Sequence, residues 1–411
     1  MEYMKCRNCG TELRLTLVDL GVAPPSNAYL SKEMLDEPET FYPLRVLVCE
    51  SCWLVQTQDY SKAEELFKSD YAYYSSCSSS WLSHAKNYVD EVVRRFKLNP
   101  GCFVVEVASN DGYLLQYVNE KDIPCLGIEP THSTASVAHK KGIDVVEQFF
   151  GSVLAKRLAK DGQCADLMIA NNVLAHVPDI NDFIEGFRIL LKPDGVASFE
   201  FSYLLDVVAK AQFDVLYHEH YSYLSLSVVK GLFEKHGLRV FDAKHLDTQG
   251  GSLRVFACRK ESRVHTKTLM VDKILFFEND TGVMTSEYYG GFQDQVNRIK
   301  DGFLLYLLNL RKQGKKIIGY GAAAKGNTLL NYAGIKSDLV SFVVDKSTGK
   351  KGKYLPGSRI PIVDESKILA FKPDYIIIFP WNIKEEIMQQ LSYVREWGCR
   401  FIIAMPEMKI L

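Results

Sequence analysis

The stretch 103–112, Phe-Val-Val-Glu-Val-Ala-Ser-Asn-Asp-Gly, decides the fold. Its first five residues form a buried strand, and the small polar turn that closes them opens onto a helical run through Leu114, Leu115 and Val118. The alternation continues downstream. Strands are expected at 125–129, 166–170, 196–201 and 253–258, helices near 134–141 and 182–191, and a Lys-Pro-Asp-Gly turn at 192–195. Alternation of this kind specifies a doubly wound α/β sheet, whose ligands sit at the carboxyl ends of the strands.

Three such ends carry polar groups. The turn at 106–112 lacks the full GxGxxG that close approach to a pyrophosphate requires, with Ala108, Asn110 and Tyr113 at the critical places, which disfavours NAD. About twenty residues on, at the place where such folds hold a ribose, Glu129 ends the next strand, and its carboxylate can accept both ribose hydroxyls. Asn171, Asn172 and His176 follow a third strand. Their order and spacing favour S-adenosylmethionine, a nucleoside without a pyrophosphate.

Upstream, Cys6-Arg7-Asn8-Cys9 and Cys49-Glu50-Ser51-Cys52 are a pair of CxxC knuckles. Four thiolates close a tetrahedral shell and leave no position for water, so the expected zinc is structural. The 39 residues between the pairs, 10–48, exceed the commonest ribbon spacing. A hydroxyl- and aromatic-rich loop at 71–81, including Tyr71, enters a helix expected at 82–96 with Ser79 or Ser80 as its cap. Downstream, a helical connector spanning 276–310 leads to a second α/β pattern, with strands at 315–321, 339–344 and 375–379. There Lys325 and Lys353 are candidates to bind an anionic phosphate. The expected organisation is a zinc-binding domain at 1–70, a Rossmann-like S-adenosylmethionine domain at 71–262 and a smaller Rossmann-like domain at 263–411.

Tyr217-His218-Glu219-His220-Tyr221 concentrates two imidazoles, a carboxylate and two phenols in five residues. Imidazole moves protons near neutral pH and a phenol can hold an oxyanion, so the stretch reads as an acid/base centre. Composition excludes other classes. Lys plus Arg (49) nearly balance Asp plus Glu (50), which argues against an electrostatic nucleic-acid partner. The N-terminal residues lack the apolar segment of a secretory signal and no run of 18 apolar residues occurs, so a cytoplasmic enzyme without a membrane partner is expected.

Taken together, these motifs resemble the deoxysugar C-methyltransferases. The resemblance spans nearly the whole chain: both CxxC pairs, EVASNDGYLL (106–115), GIEPT (127–131), ANNVLAHVPDIND (170–182), LYHEHYSYLSL (216–226), QGGSLR (249–254), YGAAAKGNTLLN (320–331) and GKYLPG (352–357). It implies that Ser109, Asn110, Gly112, Glu129, Asn171 and Asn172 touch S-adenosylmethionine, and that Tyr71, His176, Tyr217, Glu219 and His220 surround a dTDP- or GDP-linked keto-deoxysugar. The implied reaction is methylation of a sugar carbon, most familiarly C-3. An unactivated ring carbon has no lone pair, so a base must first remove the proton beside the ketone. His220 is the expected base and Tyr217 the alternative, with Glu219 orienting an imidazole or binding substrate, and His176 and Tyr71 polarising the ketone or shaping the pocket. The competing expectations are transfer to C-5, oxygen or nitrogen, or a sugar-nucleotide-binding module without catalysis. Ser202-Tyr203 and Lys346-Ser347 depart from the family pattern near expected substrate contacts.

Overall fold

The computed structural model describes residues 4–60, 66 and 74–411. Strands β1 (Leu15–Ala23), β2 (Tyr42–Val48) and β3 (Val55–Thr57) make an antiparallel sheet next to the four cysteines. The residues between β1 and β2 leave this sheet for the C-terminal part of the chain. Leu30 bridges Tyr354, Asn327 Nδ2 donates to the Ser26 carbonyl at 2.5 Å, and the Gly357 amide donates to Glu39 at 2.6 Å. The long spacing between the CxxC pairs is therefore a tether.

Helix α1 (Ser79–Phe96) follows, with Ser78 accepting from the Trp81 amide at 3.3 Å, so the cap falls just before the two serines expected. Its Ala85, Tyr88, Val89 and Val92 are buried at helical spacing. Then come β4 (Val104–Val107), α2 (Leu115–Asn119), β5 (Cys125–Ile128), α3 (His132–Lys140), β6 (Val145–Val146), α4 (Ser152–Lys160), β7 (Ala165–Asn171), α5 (Ile180–Leu190) and β8 (Leu191–Ser202). The five strands from β4 to β8 are parallel, in the order β6-β5-β4-β7-β8, so the topological switch lies between β4 and β7. The Lys-Pro-Asp-Gly stretch is not a free turn: β8 already pairs at Leu191 and resumes at Val196, which makes 192–195 a bulge.

Strand β9 (Ser222–Tyr223) leaves the central sheet and pairs with β3, lending a strand from the middle of the chain to the N-terminal sheet. Strands β10 (Leu238–Leu246) and β11 (Ser252–Arg259) complete the central sheet, with β11 antiparallel between β8 and β10. The reversal follows from the chain. Only 247–251 connect β10 to β11, and a parallel return would need a crossover of about a dozen residues. Gly251, at φ +130°, is required there because a Cβ would stand 2.3 Å from Asp206.

The expected connector is two helices, α6 (Leu269–Asp280) and α7 (Phe292–Lys312), separated by 281–291, where Gly282 and Gly291 take positive φ. The last sheet contains β12 (Ile317–Tyr320), which is followed by α8 (Ala324–Tyr332), and then β13 (Val343–Val344), β14 (Ile362–Val363), β15 (Tyr375–Ile378), β16 (Arg400–Ile403) and β17 (Lys409–Ile410). Its order is β14-β13-β12-β15-β16-β17, parallel except for β17, so a second switch lies between β12 and β15. The strand expected from residue 339 is extended only at β13, because the Leu339 and Val340 amides turn back to Lys336. Among the described residues no helix is long and apolar enough to cross a membrane.

Candidate active site

A cavity of about 1180 Å³ lies between the two switch points, lined from one side by the ends of β4, β5 and β7 and from the other by 321–325, 345–350 and 380–383. Single small-molecule pockets run to roughly 1,000 Å³, so this one has room for a cofactor and a second ligand together. Ser79 and Ser80, at the start of α1, reach Glu386 across it at 3.4 and 2.7 Å.

On the central-sheet side, Ala108, Asn110 and Gly112 all have positive φ, and the Ala108 and Ser109 amides bond back to the Ile128 carbonyl at 2.7 and 3.2 Å, which folds the turn after β4 tightly against β5. Glu129 accepts the Asn110 amide at 3.0 Å through one oxygen, and the Thr131 amide and hydroxyl at 3.0 and 2.5 Å through the other. Burial nevertheless raises its carboxyl above the usual range. Asn172, also at positive φ, donates its amide to the Glu200 carbonyl at 2.6 Å, while the buried Oδ1 of Asn171 has no partner among the described residues. Asn110, Glu129, Asn171 and Asn172 line the cavity. Ser109 and Gly112 do not. Ser109 is fully buried beneath Gly127, where a Cβ would meet its hydroxyl at 2.4 Å, and Gly112 packs on Ile143 and Ala138, so both shape the wall from behind.

Sequence reasoning missed part of this wall. Trp81 stacks on His84 at 4.9 Å, and His84 Nε2 lies 3.0 Å from Glu200, which is ion-paired to Arg254 in the interior. Trp81, His84, Gln148 and Phe149 all line the cavity. The i, i+3 spacing of Trp81 and His84 on a helix was the available signal.

The Tyr217–Tyr221 stretch divides its side chains. His220 donates from Nδ1 to the Val215 carbonyl at 2.8 Å, which leaves Nε2 to accept the Tyr217 hydroxyl at 2.7 Å, a tautomer inferred from those contacts. His176 donates from Nδ1 to the Glu219 carbonyl at 2.8 Å, and its ring centroid lies 4.5 Å from that of His220. Tyr217, His220 and His176 line the cavity. Burial pushes His176 down to about 4 and His220 well below the usual histidine range, with His176 and Lys325 adding to the second shift and the Val215 carbonyl opposing it. Both rings are neutral at pH 7.

Glu219 sits apart from these three side chains. It is buried outside the cavity wall, where its carboxylate takes the Asn27 amide at 3.2 Å and Asn27 Nδ2 at 2.5 Å, so it locks the loop to the β1–β2 tether. His218 also turns inward, donating to the Pro43 carbonyl at 3.2 Å. Thr57 on β3 holds the stretch in register through the His220 carbonyl at 2.9 Å and the Tyr221 carbonyl at 3.2 Å. Tyr71 lies outside the described residues.

From the C-terminal side, Lys325 lines the cavity and Lys353 does not. The neighbouring lysine in the wall is Lys350, which donates to the Ala322 carbonyl at 2.9 Å and lies 3.5 Å from Asp345. Ala324, Lys325 and Gly326 begin α8, which has no side-chain cap.

The thiols of Cys6, Cys9, Cys49 and Cys52 lie within 4.8 Å of one another, with Cys6 to Cys52 at 3.6 Å and Cys9 to Cys49 at 3.5 Å. Sulfurs about 2.3 Å from a tetrahedral zinc stand roughly 3.8 Å apart, so the cluster fits that ion. Gln56 Nε2 donates to Cys6 Sγ at 3.2 Å, a partner suited to a thiolate ligand.

Three family models match successive parts of the chain. Residues 6–67 match a putative zinc binding domain, 81–243 a methyltransferase domain and 247–406 the C-methyltransferase C-terminal domain. The C-methyltransferase NovU of Streptomyces niveus is 34% identical over 407 residues, covering 99% of this chain and 96% of that relative. The chain belongs to the C-methyltransferase family. It is an enzyme that uses S-adenosylmethionine and carries a structural zinc. The mitochondrial ubiquinone biosynthesis O-methyltransferase of Rattus norvegicus is 25% identical over 155 residues, covering 34% of this chain and 45% of that protein. An S-adenosylmethionine-dependent methyltransferase of solved structure from Clostridium acetobutylicum ATCC 824 is 12% identical, with a TM-score of 0.36 over 43% of this chain and 92% of that one.

Proposed function

We propose that this enzyme methylates the carbon beside the ketone of a nucleotide-linked 4-keto-deoxysugar, at C-3, with a dTDP- or GDP-type nucleotide. The carrying observation is the Tyr217–His220 pair, joined at 2.7 Å and facing the cavity that Asn110, Glu129 and Asn172 also line. Bound S-adenosylmethionine supplies an electrophilic methyl carbon, and a carbon acceptor needs a base to become a nucleophile.

His220 is suited to that task. Its Nδ1–H is committed to Val215 and its unprotonated Nε2 accepts the Tyr217 hydroxyl, so Tyr217 can take the carbon proton as it passes its own to Nε2. His176, neutral and anchored through Nδ1, presents its Nε2 edge to the sugar. Glu129 and the asparagines are assigned to the cofactor. The sugar's diphosphate is assigned to the open amides of α8 with Lys346 and Lys350 beside them, since a helix N-terminus attracts anions. The chain thus lays two ligands head to head, with the proton-transfer pair between them.

The test is mass spectrometry of the enzyme with S-adenosylmethionine and a panel of dTDP- and GDP-linked 4-keto sugars, followed by NMR of the product. One added methyl bonded to C-3 is expected. A methyl on oxygen or nitrogen would defeat the reading, because such atoms need no carbon base.

A further inference from the structure

Among the described residues three lysines line the cavity, and they are not equivalent. Lys346 is exposed at the rim. Lys350 is buried, with its ammonium on the Ala322 carbonyl and beside Asp345. Lys325 is half-buried in the wall. Its ammonium carries three donors but has one long hydrogen bond among the described residues, 3.5 Å to the Gln249 carbonyl, and it sits 4.8 Å over the Trp381 ring.

The setting ties that ammonium to the proton-transfer pair. Trp381 donates Nε1 to Asp214 at 2.6 Å, and Asp214 directly precedes Val215, the carbonyl that holds His220. One turn along α8, Thr328 donates to the Leu216 carbonyl at 3.1 Å, so the face that bears Lys325 is pinned to the segment leading into Tyr217. The charge of Lys325 is also close enough to depress His220. Lys325, whose charge is partly balanced by the buried Asp214 carboxylate but which makes a single long hydrogen bond among the described residues, thus shares the cavity wall with His220.

An uncharged imidazole with a depressed basicity is a reluctant acceptor for a carbon-bound proton. The reaction then depends on stabilising the other product, the oxyanion, and a preorganised donor at such an oxygen is worth about 10² to 10³ in rate. A diphosphate held at the amides of α8 would leave the adjacent sugar within the reach of a lysine on that same first turn.

We propose that Lys325 is a catalytic residue whose ammonium holds the ketone oxygen of the substrate as its carbon is deprotonated. The C–H bond breaks and its proton passes to the Tyr217–His220 pair. The electron pair forms the carbon–carbon double bond, the carbonyl pair moves onto the oxygen, and Lys325 hydrogen-bonds that oxyanion without giving up its own proton. When the carbon takes the methyl group, the bond from that methyl to sulfur breaks, its pair leaves with the thioether of S-adenosylhomocysteine, the carbonyl re-forms and Lys325 is unchanged. This rests on the keto-sugar reading above, and it assigns Lys325 to the reacting end of the substrate in place of the phosphate end.

The experiment compares Lys325→Met and Lys325→Gln with wild type on a keto sugar that wild type converts. It measures kcat, KM and, with S-adenosylhomocysteine replacing the methyl donor, deuterium uptake from D2O at the carbon beside the ketone. Both kcat and deuterium uptake should fall about 10² to 10³-fold while KM and S-adenosylhomocysteine affinity stay within about threefold. Unchanged kcat with a KM raised tenfold or more would overturn the proposal and make Lys325 a phosphate clamp. Unchanged deuterium uptake would overturn it as well. If Lys325→Met folds poorly in a thermal melt, Lys325→Gln, which keeps a polar but uncharged head on a shorter stem, decides. A wrong substrate assignment would show in the wild-type enzyme, and a wrong role for Lys325 only in the variants.

Discussion

At the carboxyl edge of the central sheet, Glu129 stands one residue past β5 and takes the amide of Asn110 from the turn after β4. At the carboxyl edge of the C-terminal sheet, Asp345 stands one residue past β13 and takes the amide of Ala322 from the turn after β12, at 2.7 Å. The plan is the same, but the electrostatics differ. Around Glu129 the partners are amides and a threonine hydroxyl, whereas Asp345 has Lys350 at 3.5 Å and an uncapped helix beside it. The first edge offers an acceptor to hydroxyls, and the second has its acid offset and keeps donors for an anion. On the proposed assignment, one topology used twice serves two chemically different ligands.

The largest effect should come from the centre between the two edges. His220→Asn keeps a donor for the Val215 carbonyl but removes the lone pair, and turnover should fall by roughly 10² to 10⁴ with S-adenosylhomocysteine affinity nearly intact. The two acids then give a paired test. Glu129→Gln should weaken S-adenosylhomocysteine about 10- to 100-fold in calorimetry, the worth of a hydrogen bond to a charged group, and leave the sugar-nucleotide KM alone. Asp345→Asn should do the reverse, raising that KM about tenfold by releasing Lys350 and the β12 turn. If both variants weaken the same ligand, the two edges do not share the work as assigned.

A smaller effect is expected with pH. Burial depresses both His176 and His220, so the base stays unprotonated as pH falls past about 6.5, and the acid limb of kcat/KM should lie below the ordinary histidine range. The sign for stability is opposite in sense. Between about 6.5 and 4 the unfolded chain binds protons that the buried rings refuse, so the melting temperature should drop as pH falls through that window. An acid limb at or above 6.5 would mean that the base is not an imidazole depressed by burial.

The sequence made local features legible and left long-range ones hidden. The CxxC pairs, Glu129 and the turn after β4 depend on spacing within a few residues or one strand–helix unit, and their positions follow. The Tyr217–Tyr221 stretch announced its chemistry but not its directions. Which side chains reach the cavity depends on β9 pairing with β3 and on Asn27 catching Glu219, contacts made across more than half of the central domain's length in sequence. The same holds for Lys350 over Lys353, which is settled by the Ala322 carbonyl, and for Ser109, whose burial follows from how closely Gly127 approaches. The reversed strand β11 was readable in principle from its five-residue connection to β10. The break between α6 and α7, marked by Gly282 and Gly291, was too.

The central claim is that the Tyr217–His220 pair makes a carbanion at the carbon beside a ketone. It is tested most directly by NMR of a 4-keto-deoxysugar nucleotide in D2O with enzyme and S-adenosylhomocysteine, where no methyl transfer can occur. The wild-type enzyme should exchange the C-3 proton for deuterium and His220→Asn should not. Methyl transfer by the wild type without any exchange at C-3, or equal exchange by both proteins, would contradict the account.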